Sequence, residues 1–492
     1  MKIRGLFLFY RFILMRCRRI WLVGYSFAIT KRSYRNAWCY VLLLLPTRSP
    51  AGTWKEPFTI HLNNPIFAPR KIIPMKVSVL AQNLHGSEII KIAGEINELK
   101  KQGQNIANLT IGDFDADIYP IPTELKDGII DAYNHNQTNY PPADGMLSLR
   151  ESVSAFLKNR MGLDYASNQI LISGGSRPLI YSTYLALVDP GDKVVFPTPS
   201  WNNNHYCDLT GAEAILVETR PENNFMPTAD EIAPHLKGAT MLALCSPLNP
   251  TGTMFGKKDL EEICDLVIAE NKSRGAGEKP LYLLYDQIYS QLTFGEYKHY
   301  DPVTLRPELK DYTVFIDGGS KCFAATGVRV GWGFGPAFII NNMKAIVGHM
   351  GAWSPKAEQV AMAEYLKNDT YVNTYLDKLK GNIQASLSTL HEGFQALKAD
   401  GFNVDSIEPM GAIYLTIRVD YVGKTTPDGK VLANSADVNF YLIKEAGVAL
   451  VPFSAFGTGE DVTWFRASVG ATTMTEIQQM IPRIREALAK LK

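Results

Sequence analysis

The chain has 492 residues, of which 46% are hydrophobic, and its formal net charge at pH 7 is +1. This length is long for one compact unit, so we expect two domains around a large core. The near-neutral charge excludes a bulk attraction to nucleic acid or to an anionic membrane, and small molecules are the expected partners. The six cysteines are scattered without metal-like pairs, which indicates a reducing compartment, and we predict a cytoplasmic protein.

Residues 1–74 differ from the rest of the chain. They contain many arginines, no acid before Glu56, and apolar stretches that are all shorter than the ~18 residues of a membrane span. Because the arginines interrupt the apolar stretches, a signal peptide fits poorly. A mitochondrial transit peptide fits the Arg-rich, acid-poor composition better. We favour a third interpretation, in which this segment is an unstructured leader or translation begins at Met75.

The rest of the chain alternates between two hydrophobic patterns. Helical periodicity marks residues 87–102 and 146–160, a long region at about 355–398, and a final helix at 473–491. Short apolar runs typical of buried strands lie at 169–173, 193–197, 213–218, 241–245, 281–285, 313–316 and 328–333. Strands separated by helices predict an α/β fold with a mostly parallel sheet and helices on both faces.

We predict four segments: the leader (1–74), an N-terminal arm with part of a small domain (75–125), a large domain (126–375), and a small C-terminal α/β domain (376–492). Ligands of parallel sheets gather at the carboxyl ends of the strands. Asn249, Asp286 and Lys321 all follow such ends.

Four segments carry candidate chemistry. Ser246–Thr253 is a proline-bracketed turn after a buried strand, and Tyr282–Tyr289 is a strand with a carboxylate at its exit. Asp317–Trp332 contains Lys321 and Arg329, and Phe465–Gly470 contains Arg466. Each has an ordinary explanation taken alone: a strand-end turn, a helix cap at Asp286, a surface turn or a solvated arginine. Their occurrence together and in this order favours one site.

The ordered set resembles the class I/II aminotransferases of the fold-type I pyridoxal-phosphate family, which include aspartate aminotransferase, over about residues 80–490. The resemblance implies a three-layer α/β fold, an enzyme of amino-acid metabolism, and pyridoxal 5′-phosphate as cofactor. It implies that Lys321 forms the Schiff base, that Asp286 bonds the pyridine nitrogen, and that Asn249 and Tyr289 bond the phenolic oxygen of the ring. It also implies a phosphate held by Arg329 and by the helix-opening loop of Gly174, Gly175 and Ser176. Because the phosphate-contacting serine of many relatives is absent here, we expect Ser320 or this loop to replace its contact.

The resemblance assigns four further roles. Arg466 binds the substrate α-carboxylate, Trp201 stacks on the ring, and the backbone of Gly112 lines the substrate site. Tyr140 reaches the phosphate of a neighbouring subunit, which implies a homodimer. Many relatives carry a serine at the position of Gly318, and the acidic Asp317 is unusual in a segment that lies near an anion; we have no explanation from the sequence for Asp317.

These residue types suit the chemistry on physical grounds. A buried carboxylate such as Asp286 keeps a proton on the pyridine nitrogen, so that the ring can accept the electron pair left at the substrate Cα. A desolvated lysine loses its proton near neutral pH and can then act as a general base. Arginine binds a carboxylate or a phosphate through two parallel hydrogen bonds, and backbone N–H groups at a helix start attract phosphate.

We therefore predict an aminotransferase that moves an amino group from an L-amino acid to a 2-oxo acid. Arg177 is a candidate for binding a distal carboxylate, which would favour aspartate and glutamate; the alternative is a helix-surface arginine. A lyase, a decarboxylase and an acyltransferase stay open as alternative reaction classes, because the cofactor does not choose which bond breaks. A regulatory effector sensor is a non-enzyme alternative, which the lack of an N-terminal helix-turn-helix pattern disfavours.

Overall fold

The structure is a computed structural model that describes residues 25–34, 37–46, 59–60, 77–84 and 103–492, with the single residues 92, 94, 96, 98, 99 and 101. The chain divides into two compact units, Met1–Ala81 and Gln82–Lys492. In the first unit, β1 (Tyr25–Tyr34) and β2 (Ala37–Pro46) pair antiparallel, and β2 also pairs antiparallel with β3 (Thr59–Ile60).

These strands lie within the 1–74 segment, for which we expected no regular structure. Aromatic residues, which favour strands, are frequent in β1 and β2. The interpretation of this segment as a leader stays a prediction.

The strands of the second unit are β4 (Ala107–Asn108), β5 (Ile170–Ser173), β6 (Lys193–Thr198), β7 (Glu213–Glu218), β8 (Ala239–Cys245), β9 (Tyr282–Asp286), β10 (Thr313–Gly318), β11 (Gly331–Phe334), β12 (Val404–Ser406), β13 (Tyr414–Val419), β14 (Val448–Ala449), β15 (Val451–Pro452) and β16 (Trp464–Ser468).

The fully described α-helices are α1 (Val79–Asn83), α2 (Thr123–Asn134), α3 (Leu147–Met161), α4 (Ser176–Leu187), α5 (Asn203–Thr210), α6 (Ala229–Ile232), α7 (Lys257–Ser273), α8 (Pro302–Leu305), α9 (Gly319–Cys322), α10 (Ala337–Met350), α11 (Lys356–Leu366), α12 (Asp369–Ala399), α13 (Ser435–Ala446) and α14 (Met474–Leu488). Of the predicted helix 87–102, Ile92, Ile96 and Leu99 are helical, and residues 87–91 lie outside the described residues. None of the described helices is both long and apolar enough to span a bilayer.

A seven-stranded sheet forms the centre of the second unit, in the order β5-β11-β10-β9-β8-β6-β7. The five strands from β10 to β7 run parallel to one another, and β11 runs antiparallel to both of its neighbours. The sheet is therefore mostly parallel, as predicted, and the carboxyl ends of β8, β9 and β10 meet at one edge.

The apolar sequence of β8 shows why the central strands are buried on both faces. Leu242 and Leu244 pack into a cluster with residues of α3, α7 and α11, whereas Met241 and Ala243 pack into a second cluster with residues of α4 and α10. Successive side chains of a strand point to opposite faces, so both faces of this sheet must be apolar. Each fully buried leucine contributes roughly 1.5–3 kcal/mol relative to an exposed one.

A smaller antiparallel sheet, β12-β13-β16-β15, packs with α12 and α14 around its own apolar cluster. Strand β4 pairs parallel with β14 and so ties the described start of the second unit to this C-terminal part. The predicted domain boundaries at residues 125–126 and 375–376 stay predictions.

Two elements of the structure have other bounds than those predicted from the sequence. The helical region predicted at 355–398 is two helices, because the side chain of Asn368 accepts a hydrogen bond from Tyr371 N at 3.1 Å and caps the start of α12. The strand predicted at 328–333 begins only at Gly331, because a short 3₁₀ turn (Thr326–Val328) and a left-handed Arg329 precede it.

Candidate active site

The candidate site lies at the carboxyl edge of β8, β9 and β10. Asn249 follows β8, Asp286 ends β9, and Lys321 lies in α9 directly after β10. The parallel pairing of these strands brings the three segments together, as predicted from the sequence. Arg466 comes from β16 of the smaller sheet, and its guanidinium donates to Asn249 Oδ1 at 3.0 Å.

The Lys321 amine lies inside this cluster. Its Nζ donates a hydrogen bond to the backbone oxygen of Gly112 at 2.6 Å. It also lies 5.9 Å from the ring centroid of Phe114 and 5.8 Å from that of Tyr289. Within the described residues, Nζ forms no ion pair.

Burial lowers the pKa of Lys321 from 10.5 to about 8. The Asp113 carboxylate opposes this shift. The positive charges of Arg466, Arg177 and Arg329 reinforce it. A large fraction of the amine is therefore neutral, and hence nucleophilic, slightly above neutral pH.

The Asp286 carboxylate has no cationic partner among the described residues. Its Oδ1 accepts a hydrogen bond from Ile288 N at 3.1 Å, which forms a tight turn and not the helix cap that we considered as an alternative. Burial raises the pKa of Asp286 to about 6, although the Ile288 N–H and the charge of Lys321 lower it. A cation placed against this carboxylate would stabilise its charged form.

Arg466 is a buried cation, with only 1% of its surface exposed. Besides Asn249, it donates to the backbone oxygen of Thr110 at 2.6 Å, and its guanidinium lies 4.7 Å from the ring centroid of Tyr414 and 5.0 Å from that of Phe456. Its Nε has no hydrogen-bond partner, and no carboxylate pairs with it in the described part of the chain. A buried guanidinium without an anion is costly, so this arrangement is typical of an anion-binding site.

Tyr289 and Tyr414 form a phenol pair beside the arginine. Their hydroxyl oxygens are 2.6 Å apart, and their rings pack edge to face with the ring centroids 5.6 Å apart. A Cβ on Gly112 would lie 2.7 Å from the Tyr414 hydroxyl, so a glycine is needed there. Tyr414 is not predictable as a site residue from the sequence, because one tyrosine in a buried strand pattern has the same signature as a core residue.

The predicted phosphate loop opens α4. Gly175 is its N-cap, with a left-handed φ of +99°, and a Cβ there would clash with a guanidinium nitrogen of Arg329. Arg329 donates to the backbone oxygens of Gly174 at 2.6 Å and Thr326 at 2.5 Å. The guanidinium and the free N–H groups at the start of α4, which begins with Ser176, therefore lie together, and Ser320 is buried in the neighbouring α9.

Steric crowding explains why a glycine occupies position 318. A Cβ on Gly318 would lie 2.8 Å from Gly331 Cα, and a Cβ on Gly331 would lie 2.5 Å from the carbonyl carbon of Gly175. The three backbones are thus stacked in contact, which we call the glycine stack (Gly175, Gly331, Gly318). A serine at 318 does not fit this packing.

Trp201 is half-buried and Arg177 is exposed, so both lie at the more accessible side of the candidate site. The Arg177 guanidinium is 5.3 Å from the Trp201 ring centroid, and the ring centroids of Trp201 and Phe456 are 6.2 Å apart. Arg177 is exposed and forms no ion pair with described residues, yet its charge acts on Lys321. It is therefore available to an anionic ligand.

The structure does not bring Tyr140 into contact with the other candidate residues of the same chain. Its side chain is 82% exposed and packs edge to face on Trp353 at 5.4 Å.

Residues 104–484 match the family model for aminotransferase class I and II. A probable aspartate/prephenate aminotransferase of Rhizobium leguminosarum bv. phaseoli is 30% identical over 403 residues, which is 81% of this chain and 95% of that protein. The crystal structure of the aspartate aminotransferase of Rhizobium meliloti aligns with a TM-score of 0.77 at 25% identity, covering 85% of this chain and 100% of that one.

An aspartate aminotransferase from Thermus thermophilus with maleate shares the fold, with a TM-score of 0.74 at 24% identity over 84% of this chain and 100% of that one. The predicted α/β fold of type I is thus confirmed, with its mostly parallel sheet. The chain is an enzyme, a transaminase, and it belongs to the aminotransferase class I and II family.

Proposed function

We propose that this transaminase binds pyridoxal 5′-phosphate covalently through Lys321 and moves an amino group from an L-amino acid to a 2-oxo acid. One observation carries the proposal. The partly buried Asp286 and the buried Arg466 both act electrostatically on the Lys321 amine, and neither forms an ion pair among the described residues. The carboxylate fits a pyridinium nitrogen, and the guanidinium fits a substrate carboxylate.

When bound, the cofactor supplies an aldehyde carbon for amines and a ring that accepts the electron pair left at the substrate Cα. Asp286 holds the proton on the ring nitrogen. Lys321 Nζ takes the proton from the substrate Cα and returns it, because its pKa of about 8 leaves a substantial fraction of the amine neutral slightly above neutral pH. Arg466 orients the substrate α-carboxylate.

The remaining residues hold the cofactor. Asn249 Oδ1 accepts from Arg466, which leaves its amide N–H groups for the phenolic oxygen of the ring, and the Tyr289 hydroxyl can donate to the same oxygen. Arg329 and the N-terminus of α4 bind the phosphate. Trp201 covers one face of the ring.

The test is reduction with borohydride followed by mass mapping of peptides. We expect the reduced adduct on Lys321 in the wild type, and the absorbance band of the lysine-bound cofactor to be missing from Lys321→Ala. An adduct mapped to another lysine, or none, contradicts the proposal.

We propose a preference for aspartate and glutamate, with Arg177 binding the distal carboxylate. The support is its exposed, unpaired guanidinium beside Trp201 and its charge acting on Lys321. Arg177→Ala should raise the KM for aspartate and glutamate far more than that for alanine or phenylalanine. Equal effects on all four substrates would defeat this assignment.

We also propose a cytoplasmic homodimer in which Tyr140 contacts the phosphate bound to the neighbouring subunit. The exposure of Tyr140 supports this contact, because a ring that is 82% exposed is available to a second chain. The described cysteines, Cys207, Cys245, Cys264 and Cys322, are free thiols, in keeping with a reducing compartment.

A further inference from the structure

The proposed chemistry leaves one buried carboxylate unused, that of Asp317, which is only 2% exposed. Its Oδ1 accepts a hydrogen bond from Gly318 N at 2.7 Å, and its Oδ2 accepts one from Gln287 Nε2 at 3.1 Å. Ser290 Oγ is also 3.5 Å from Oδ2. No cationic side chain pairs with Asp317 among the described residues.

The partners of Asp317 belong to two different loops of the site. Gln287 follows Asp286, and Ser290 follows Tyr289, in the loop after β9. Gly318 begins the turn that carries Lys321 after β10. The Asp317 carboxylate therefore bridges the lysine turn and the loop that holds the pyridine-binding acid and the phenol.

The Gln287 side chain is fixed from both sides. Its Nε2 donates to Asp317, and its Oε1 is 3.3 Å from His299 Nε2, which must donate to it. The other ring nitrogen of His299, Nδ1, is buried without a partner. Burial lowers the pKa of His299 to about 3, so the ring is neutral and carries its one proton on Nε2.

We propose that Asp317 is a positioning residue of the transaminase site: its carboxylate holds the Lys321 turn in register with the loop of Asp286 and Tyr289. The inference rests on the proposed function, since the position of the amine matters only if Lys321 binds the cofactor. Effective reaction needs the reacting groups held in near-attack geometry, and a small displacement costs a large factor in rate.

The test compares Asp317→Asn with the wild type in the full chain after removal of the cofactor. An asparagine has one acceptor where the carboxylate has two, so the bridge to either Gly318 or Gln287 is lost. A flip of Gln287 would restore the bridge only by moving the His299 proton to the buried Nδ1, which has no acceptor. We expect Asp317→Asn to react with pyridoxal 5′-phosphate at least tenfold more slowly at pH 8, and kcat to fall more than KM rises.

Asp301→Asn is the matched control. Its carboxylate is also buried and accepts from Val303 N at 3.0 Å and Thr304 N at 2.9 Å, with a further bond from the Thr304 hydroxyl, but all these partners belong to α8. This variant should keep the wild-type rate of cofactor attachment, because none of these partners belongs to the loops that carry Lys321, Asp286 and Tyr289. Equal slowing in both variants would show a general loss of stability and overturn the inference.

The double variant Asp317→Asn with Gln287→Glu reverses the polarity of the bridge. The new amide N–H can donate to the new carboxylate, which can also accept from His299 Nε2, and the net charge is unchanged. Recovery of the attachment rate supports a bridging role, and failure to recover while the protein stays folded counts against it. A wild-type chain that forms no adduct at Lys321 would remove the proposed cofactor and this inference with it. Attachment to Asp317→Asn at the wild-type rate would remove the inference alone.

Discussion

A buried amine loses its proton more easily than one in water, and Lys321 is such an amine. Because only the neutral amine attacks an aldehyde, we expect the rate of cofactor attachment to rise with pH and to reach half its maximum near pH 8, the lowered pKa of Lys321. Arg177→Gln should move this midpoint upward, since it removes a neighbouring cation, and Asp113→Asn should move it downward. Stopped-flow absorbance across the neutral and alkaline range measures the midpoint.

A midpoint near 10.5, the ordinary value for lysine, would show that the amine is solvated in the free enzyme. Shifts of the same sign in the two variants would also contradict this electrostatic picture, because Arg177 and Asp113 carry opposite charges.

The planar shape of the Arg466 guanidinium should matter for substrate binding as well as its charge. Arg466→Lys keeps the positive charge and loses the planar fork, so we expect kcat/KM to fall by about 100-fold, or about 3 kcal/mol, for every amino-acid substrate. Steady-state kinetics with a panel of amino acids measures it. Arg418→Lys, on the neighbouring strand β13 and partly exposed, is the control and should leave the kinetics unchanged. A substrate-selective loss in Arg466→Lys would point to side-chain recognition instead.

The start of helix α4 requires a glycine at position 175 for two reasons. Gly175 has a φ of +99°, and a Cβ there would meet Arg329. Gly175→Ala should therefore weaken the affinity for pyridoxal 5′-phosphate at least tenfold as well as lower the melting temperature. Gly191→Ala separates the two effects, because Gly191 has a similar φ of +88° with nothing within 4 Å of the added Cβ. It should cost about 1 kcal/mol of stability and leave cofactor affinity unchanged. Equal affinities in the two variants would contradict the role of the Gly175–Arg329 contact.

The helices and strands were easier to predict from the sequence than the direction of the strands and the turns between them. The buried strands and the segments at their carboxyl ends were found because apolar runs followed by polar turns are local features, and parallel pairing then brings Asn249, Asp286 and Lys321 together. The antiparallel direction of β11 could not be read from its residues, because direction is set by the path of the whole chain. The left-handed Arg329 was missed because arginine is not a residue that signals this conformation.

Side chains that meet across long separations were the least predictable. The Tyr289–Tyr414 pair joins residues 125 positions apart, and the Asp317 bridge depends on a glutamine and a serine that carry no motif. Both contacts follow from tertiary packing, for which a single sequence gives no distance.

In the proposed dimer, the exposed Tyr140 serves the cofactor site of the neighbouring subunit. Tyr140→Phe should leave the sedimentation of the dimer unchanged and weaken cofactor affinity about tenfold or more, since a hydrogen bond to a charged phosphate contributes about 1.5–3 kcal/mol. Analytical ultracentrifugation and absorbance titration measure the two quantities. Tyr133→Phe, which removes an exposed hydroxyl bonded to Glu358 at 3.0 Å, is the control. A fully active monomer would rule out the contact.

The glycine stack has a consequence for how this enzyme can diverge or be engineered. Gly175 lies before α4, whereas Gly318 and Gly331 lie at the end of β10 and the start of β11; Gly331 leaves no space for a methyl group on Gly318, and Gly175 leaves none on Gly331. A chimaera that imports only one of these elements from a relative with a bulkier residue will clash, so recombination has to exchange them as a set.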